Sequence, residues 1–297
     1  MKRFLGTLTI LIITSPLGFC ASTDMSSSSE PQHKQDFNLA GYGAKGQKTW
    51  EVQGAQMDMA GNDVKISDIK ARLFGDKENM VLTADNGHFD KTSGVIHLQD
   101  HVKAVTESGA ELLTDTLDWS QKESLITTND KVNISRDNMT AVATGIEAKP
   151  DFKVAKFEKD VVMTIDGQKK TDTSTETAEK QTEKQKGAAL PKSQMTVTCD
   201  GPMELNYEKQ FAVFEKNVKV EGDAQQGTMV ADKMTVYFSP TTKQIDKIDA
   251  QGHVKIERGE NTSFSEGAIF TASDKRVVLT GRPKLVIFTE GEKNVSP

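Results

Sequence analysis

Only two cysteines occur in 297 residues, Cys20 and Cys199, and the first lies in the leading segment, so no disulfide framework staples the chain. Its stability must come from packing. A basic excess is missing too: 37 Lys and Arg stand against 43 Asp and Glu, a formal charge of -6, which leaves no cationic field for nucleic acid. Beyond the first two dozen residues no apolar run could span a bilayer. Five histidines are present and none sits in a zinc spacing; no Gly-x-Ser-x-Gly elbow and no phosphate loop occurs. These gaps give an expectation of no catalytic residue, no metal and no cofactor. His97 and His101 flank Asp100, but four residues along a continuous strand cover about 13 Å, too far for one ion unless the chain bends at Asp100. Cys199 lies in a strand-like run without a basic neighbour and reads as buried. Partners are left as proteins, glycans or lipids.

What the chain does have is a repeat. Asp100, Asp130 and Asp160 fall in step, each followed two places later by Val102, Val132 and Val162, and upstream stand Asp85, Asp115 and Gly145. Phe89 and Trp119 keep an aromatic in register that Lys149 loses. Self-similarity at a fixed period signals a stacked architecture in which units bury their apolar faces against each other. Within a unit the spacing is two, as in Ile96 and Leu98 or Val102 and Ala104, with turn residues at Asp90 to Gly94 and Glu107 to Gly109. The unit therefore reads as a pair of short strands with Asp at the strand ends. In the third unit Val161, Met163 and Ile165 alternate one residue out of step with Val162, so its inward face stays open.

The first 22 residues form a targeting segment, with Lys2 and Arg3 ahead of an apolar run from Phe4 to Phe19. As a helix that run covers about 24 Å, against a hydrocarbon core of roughly 30 Å. Three readings are open: a cleaved signal peptide, lipidation at Cys20, or a retained anchor. Each exports the chain. Residues 23–36 read as a polar tether, 37–167 as a first domain, 168–194 as a disordered linker, 195–290 as a second domain with looser units of the same kind, and 291–297 as a tail.

An Ala-Asp or Thr-Asp start, an apolar residue, a turn and then Asp/Asn/Gly-x-Val-x-Val resembles the repeat of the OstA/LptA-type lipopolysaccharide transport proteins. Residues 37–167 resemble LptC through Trp50-Glu51-Val52, Ser67-Asp68-Ile69-Lys70-Ala71 and Leu82-Thr83-Ala84-Asp85; residues 195–290 resemble LptA. The resemblance implies two open, twisted, all-β jellyroll domains, a periplasmic location at or near the inner membrane, and no enzymatic activity. It also implies lipopolysaccharide as ligand, with other Lpt jellyrolls and the inner-membrane ABC transporter complex as partners through edge-strand pairing.

Alternation along stacked strands would give an apolar trough for acyl chains, each buried methylene contributing roughly 0.8 kcal/mol. Leu82, Phe89, Ile96, Leu98, Val102, Leu113, Trp119, Ile126, Val132 and Ile134 are the candidates for its wall. The competing expectation is that these residues fill a closed core, as in any β-sandwich. That would suit a structural or adhesin-type repeat protein without a groove. A polysaccharide-acting enzyme using Asp85, Asp90 and Asp100 is the third class, set against turn-forming aspartates.

Overall fold

Runs of alternating apolar and polar residues continue for ten or more positions at a time, and each such run becomes one long strand. The computed structural model describes residues 32–43, 45–75, 78–167, 194–222 and 227–287. The first half holds β1 (Gln32–Tyr42), β2 (Lys48–Ala60), β3 (Asp63–Phe74), β4 (Asn79–Asp90), β5 (Val95–Thr106), β6 (Glu111–Ser120), β7 (Leu125–Arg136), β8 (Met139–Ala148) and β9 (Val154–Asp166). The second holds β10 (Gln194–Cys199), β11 (Met203–Asn206), β12 (Phe211–Glu221), β13 (Thr228–Phe238), β14 (Ile245–Arg258), β15 (Asn261–Thr271), β16 (Arg276–Thr280) and β17 (Lys284–Val286). No helix occurs among the described residues, and the fold is an all-β, antiparallel jellyroll.

Successive strands pair in a meander, except that β10 and β11 lie end to end between β9 and β12 and that β16 and β17 both pair with β15. The order does not break between the halves: β9 pairs with β10 from Gln194 opposite Asp166 to Cys199 opposite Val161, and with β11 from Met203 opposite Phe157 to Asn206 opposite Val154. One 17-stranded sheet results. The segment expected to be a linker lies outside the described residues except for Gln194, which is already strand. The leading segment, whose fate was left open, lies outside them as well. β1 includes Gln32 to Asp36, placed by composition in the polar tether, because backbone pairing with β2 recruits them whatever their side chains.

Each repeated unit is a pair of antiparallel strands, β4 with β5, β6 with β7 and β8 with β9, and the second strand of each is long and bent. Ile96, Leu98, Val102 and Ala104 all lie in β5 and all point inward, while Gln99, Asp100 and His101 between them are exposed. Asp100 and His101 both have positive φ, at 64° and 51°, and the register shifts there against β4 and β6. An extra residue at such a bulge bends the strand and sharpens its twist. The aspartates of the repeat thus stand in mid-strand, not at strand ends. Their side chains tie neighbouring strands along the outer crest: Asn86 Nδ2 donates to Asp100 at 3.1 Å, His101 meets Asp85 at 2.7 Å, and Thr116 Oγ1 donates to Asp130 at 2.6 Å.

The inward residues that bracket the bulge are Leu98 and Val102, Thr128 and Val132, Phe157 and Val161, Phe214 and Val218, and Ala250 and Val254. In the third unit the true equivalent of Val132 is therefore Val161. The match at Asp160 and Val162 is one residue late, and Val162 faces outward, 41% exposed. On the inner side the apolar residues merge into one core that runs from Phe37 to Ala268 and crosses the boundary between the halves.

Candidate functional site

Because every long strand is bent, its two ends approach each other across the inner face. Turns β3–β4, β5–β6 and β7–β8 lie at one end of the sheet, and turns β6–β7, β8–β9, β11–β12 and β13–β14 at the other. Side chains join the two ends along a seam. Trp50 Nε1 donates to Gln121 Oε1 at 3.1 Å, Tyr207 Oη donates to Asp137, and Gln244 Nε2 donates to the Asp166 carbonyl at 2.8 Å. The partners in these three ties are 71, 70 and 78 residues apart, so each strand end meets a turn a near-constant distance further along the chain.

The most buried tie joins Glu78 and Arg136 to the β8–β9 turn. Arg136 Nη1 donates to the Phe152 carbonyl at 3.4 Å and Nη2 to the Asp151 carbonyl at 3.3 Å, with Glu78 at 3.6 Å. Lys153 Nζ lies 3.4 Å from the other Glu78 oxygen, and Ser108 Oγ donates to the first at 2.7 Å. Burial by itself would push the Glu78 carboxyl up; hydrogen bonds from Ser108, Thr106 and Lys153 outweigh it and hold the group at about 2. A charge this enclosed persists because each of its oxygens is met by donors.

Nine of the ten trough candidates face this interior. Leu98, Ile126 and Val132 are fully enclosed, Leu82, Ile96, Val102, Trp119 and Ile134 nearly so, and Phe89 is half-buried against Trp50, ring centroids 6.4 Å apart. Leu113 is on the outer face, 41% exposed, since its neighbours Leu112 and Thr114 take the inward positions. In this half the side chains fill the space between the arms.

Open space lies in the other half. A cavity of about 350 Å³ sits under Val220, Met229, Ile245, Ile248, Ile256 and Phe270, with Ile165 and Met195 at its inner end. Gln194, Gln244, Arg258 and Lys275 form its rim. The volume is within the roughly 300–1,000 Å³ of small-molecule sites. The seam spacing explains the opening. Partners for the β12–β13 and β14–β15 turns, 70 to 78 residues ahead, would fall beyond β17, so no turn of the described chain covers this stretch. The sequence reading nominated none of these residues, although the alternation of Met229, Ala231, Met234, Val236 and Phe238 carries the same signal as the first half.

Alternative chemistry finds no assembled site. His97 bonds Asp118 and His101 bonds Asp85, on opposite neighbouring strands, and no group of His, Cys, Asp and Glu among the described residues is placed to hold a metal. Asp90 caps its own turn, with the Thr92 amide at 2.8 Å. Cys199 is buried, and burial pushes its thiol up, away from the reactive thiolate. No helix among the described residues is long and apolar enough to cross a membrane.

Residues 19–166 match the family described as lipopolysaccharide-assembly, LptC-related, and residues 197–296 match the LptA/(LptD N-terminal domain) LPS transport protein family. Among curated proteins none matches the chain. The two matches meet at the β9–β10 pairing, follow the order of the sheet, and belong to non-enzymatic proteins of lipopolysaccharide transport. The chain therefore belongs to the Lpt lipopolysaccharide-transport families, an LptC-related half continued by an LptA/LptD-type half in one sheet.

Proposed function

We propose that this chain carries lipopolysaccharide across the periplasm by sheltering acyl chains between the arms of its bent sheet, starting from the cavity in the second half. The observation that carries this reading is an apolar space open to solvent beside a core that is filled from Leu82 to Ile134. Burying methylenes there contributes roughly 0.8 kcal/mol each. The wall from Leu82 to Ile134 is the continuation of the same interior, reached by acyl chains when the seam ties part. Both sheet edges favour head-to-tail assembly with other Lpt jellyrolls and with the inner-membrane transporter. At one edge β1 pairs, among the described residues, only with β2; at the other, β16 and β17 leave Val278, Leu285 and Val286 exposed. A neighbour stacked on that edge would supply the turns missing from the seam. Attachment to the inner membrane would run through the leading segment.

Photo-crosslinkers at Met229 and Ile248, at Phe89 and Trp119, and at the outward Lys103 test the reading on lipopolysaccharide-producing cells. Adducts are expected at the first pair, fewer at the second and none at Lys103. Equal labelling at all five positions would remove the interior path. A groove-free structural role is the second reading, favoured by the complete burial of Leu98, Leu112, Leu117 and Ile126. It requires that no interior position gives an adduct.

A further inference from the structure

The rim of the cavity is asymmetric in charge. Among the described residues its lining includes Arg258 and Lys275 and no Asp or Glu, in a chain whose acids outnumber its bases. Both cations are exposed, while Val220, Met229, Ile245 and Ile248 beneath them are buried. Lys219, Lys233 and Lys255, on strands of the same half, each hold a carboxylate, at 2.5, 2.7 and 2.6 Å. Arg258 and Lys275 have no ion-pair partner among the described residues. Their places in the fold differ: Arg258 closes β14 at one end of the sheet, and Lys275 lies in the β15–β16 turn at the other. They therefore stand on opposite lips of the stretch of seam that no tie closes.

From this geometry we infer that Arg258 and Lys275 determine specificity, gripping the anionic head of an amphiphile whose apolar tail enters the cavity. The inference rests on the reading that the cavity takes acyl chains, and adds which head group it prefers. Two cations that hold no carboxylate among the described residues, both lining one apolar space, leave an anion bound there two charges to meet. Arg offers a planar fork that meets a phosphate or carboxylate with two hydrogen bonds, and Lys a point charge. A sugar head without charge gains neither. Such an anion also substitutes for the missing seam tie, joining the two lips through itself.

The test displaces an apolar fluorescent dye, N-phenyl-1-naphthylamine, from the full chain with three probes: n-tetradecyl phosphate, n-tetradecyl maltoside and inorganic phosphate. For wild type, both amphiphiles displace the dye, the phosphate amphiphile more tightly and with an affinity that falls as salt rises; inorganic phosphate does not. The double variant Arg258→Met and Lys275→Met, which keeps the apolar stems, weakens the phosphate amphiphile about tenfold and leaves the maltoside within about twofold. Arg258→Lys retains most of the preference. Equal weakening of both amphiphiles, or no change in either, overturns the role assigned to the two cations while leaving the cavity reading intact. If neither amphiphile displaces dye from wild type, the cavity reading itself fails, and the inference with it. Stacked copies in sedimentation that exclude the dye would give the mouth to a second chain and also sink it.

Discussion

The Arg136 guanidinium lies 4.6 Å from the centre of the Tyr207 ring, and Lys243 Nζ lies 4.7 Å from it. Arg136 comes from the LptC-related half, Tyr207 and Lys243 from the LptA-type half. Asp137, next to Arg136, accepts the Tyr207 hydroxyl, and burial together with that carboxylate pushes the phenol up and keeps it a donor. One ring thus carries ties from both halves on the inner side, while β9–β10 pairing joins them along the sheet. The boundary between two matched families is a continuous piece of structure.

Tyr207→Ala should uncouple the halves. Loss of the ring removes two cation–π contacts and a hydrogen bond, about 2–4 kcal/mol. In urea, wild type is expected to lose both halves in one transition followed by Trp50 and Trp119 fluorescence and by circular dichroism together. The variant should show an earlier phase in circular dichroism that the two tryptophans, both in the first half, do not report. Tyr207→Phe, which keeps the ring, should cost about 1 kcal/mol and leave the transitions coincident.

Glu78 gives the seam an acid limit. Its folded value is held at about 2, below the ordinary 4.5, so the unfolded chain binds a proton more readily. Stability from this group is present in full above pH 4.5 and is lost as pH falls toward 2, by about 3 kcal/mol across that window. Glu78→Gln should lower stability at pH 7 and flatten the decline between pH 4.5 and 2 relative to wild type, read from urea midpoints at each pH. A parallel decline in both proteins would show that the carboxyl is not the group responsible.

Gly201 tests the junction from the sheet side. It lies between β10 and β11, both paired to β9, with φ of 100°, and a Cβ there would come within 2.3 Å of the Glu158 carbonyl oxygen. Backbone on backbone cannot give way as a side chain can. Gly201→Ala should cost about 2 kcal/mol or more. Its effect should centre on the β9–β10 pairing, with faster amide exchange at Val197 and Met163 than at Leu98 and Ile126.

The all-β class and the alternating interior were legible because period-two spacing needs nothing beyond the chain itself: Ile96, Leu98, Val102 and Ala104 declare one face. The bulge was not. Asp100 and His101 look like turn residues, and only the pairing of β5 with both neighbours shows that the strand passes through them. One residue fewer decides the third unit, where Asp160 keeps the Asp spacing but Val161 takes the inward place. Leu113 followed a similar rule: Leu112 and Leu113 are equivalent in sequence, and the register with β5 and β7 chooses between them. The cavity was least legible. Its position depends on seam ties such as that between Asp166 and Gln244, whose partners are separated by 78 residues, and no local pattern records where such ties run out.

Empty space and filled space can be told apart by adding volume to each. Ile248 borders the cavity, so Ile248→Phe should place its extra carbons in the void and shift stability by less than about 1 kcal/mol. Dye uptake should fall severalfold. Ala104 is fully enclosed in the first half, where Ala104→Leu meets packed side chains on every side and should cost about 1–3 kcal/mol with uptake unchanged. The contrast matters more than either value, because a chain that binds through its whole length would lose uptake at both positions. Loss confined to Ile248→Phe places the first binding event where no turn of the described residues closes the seam.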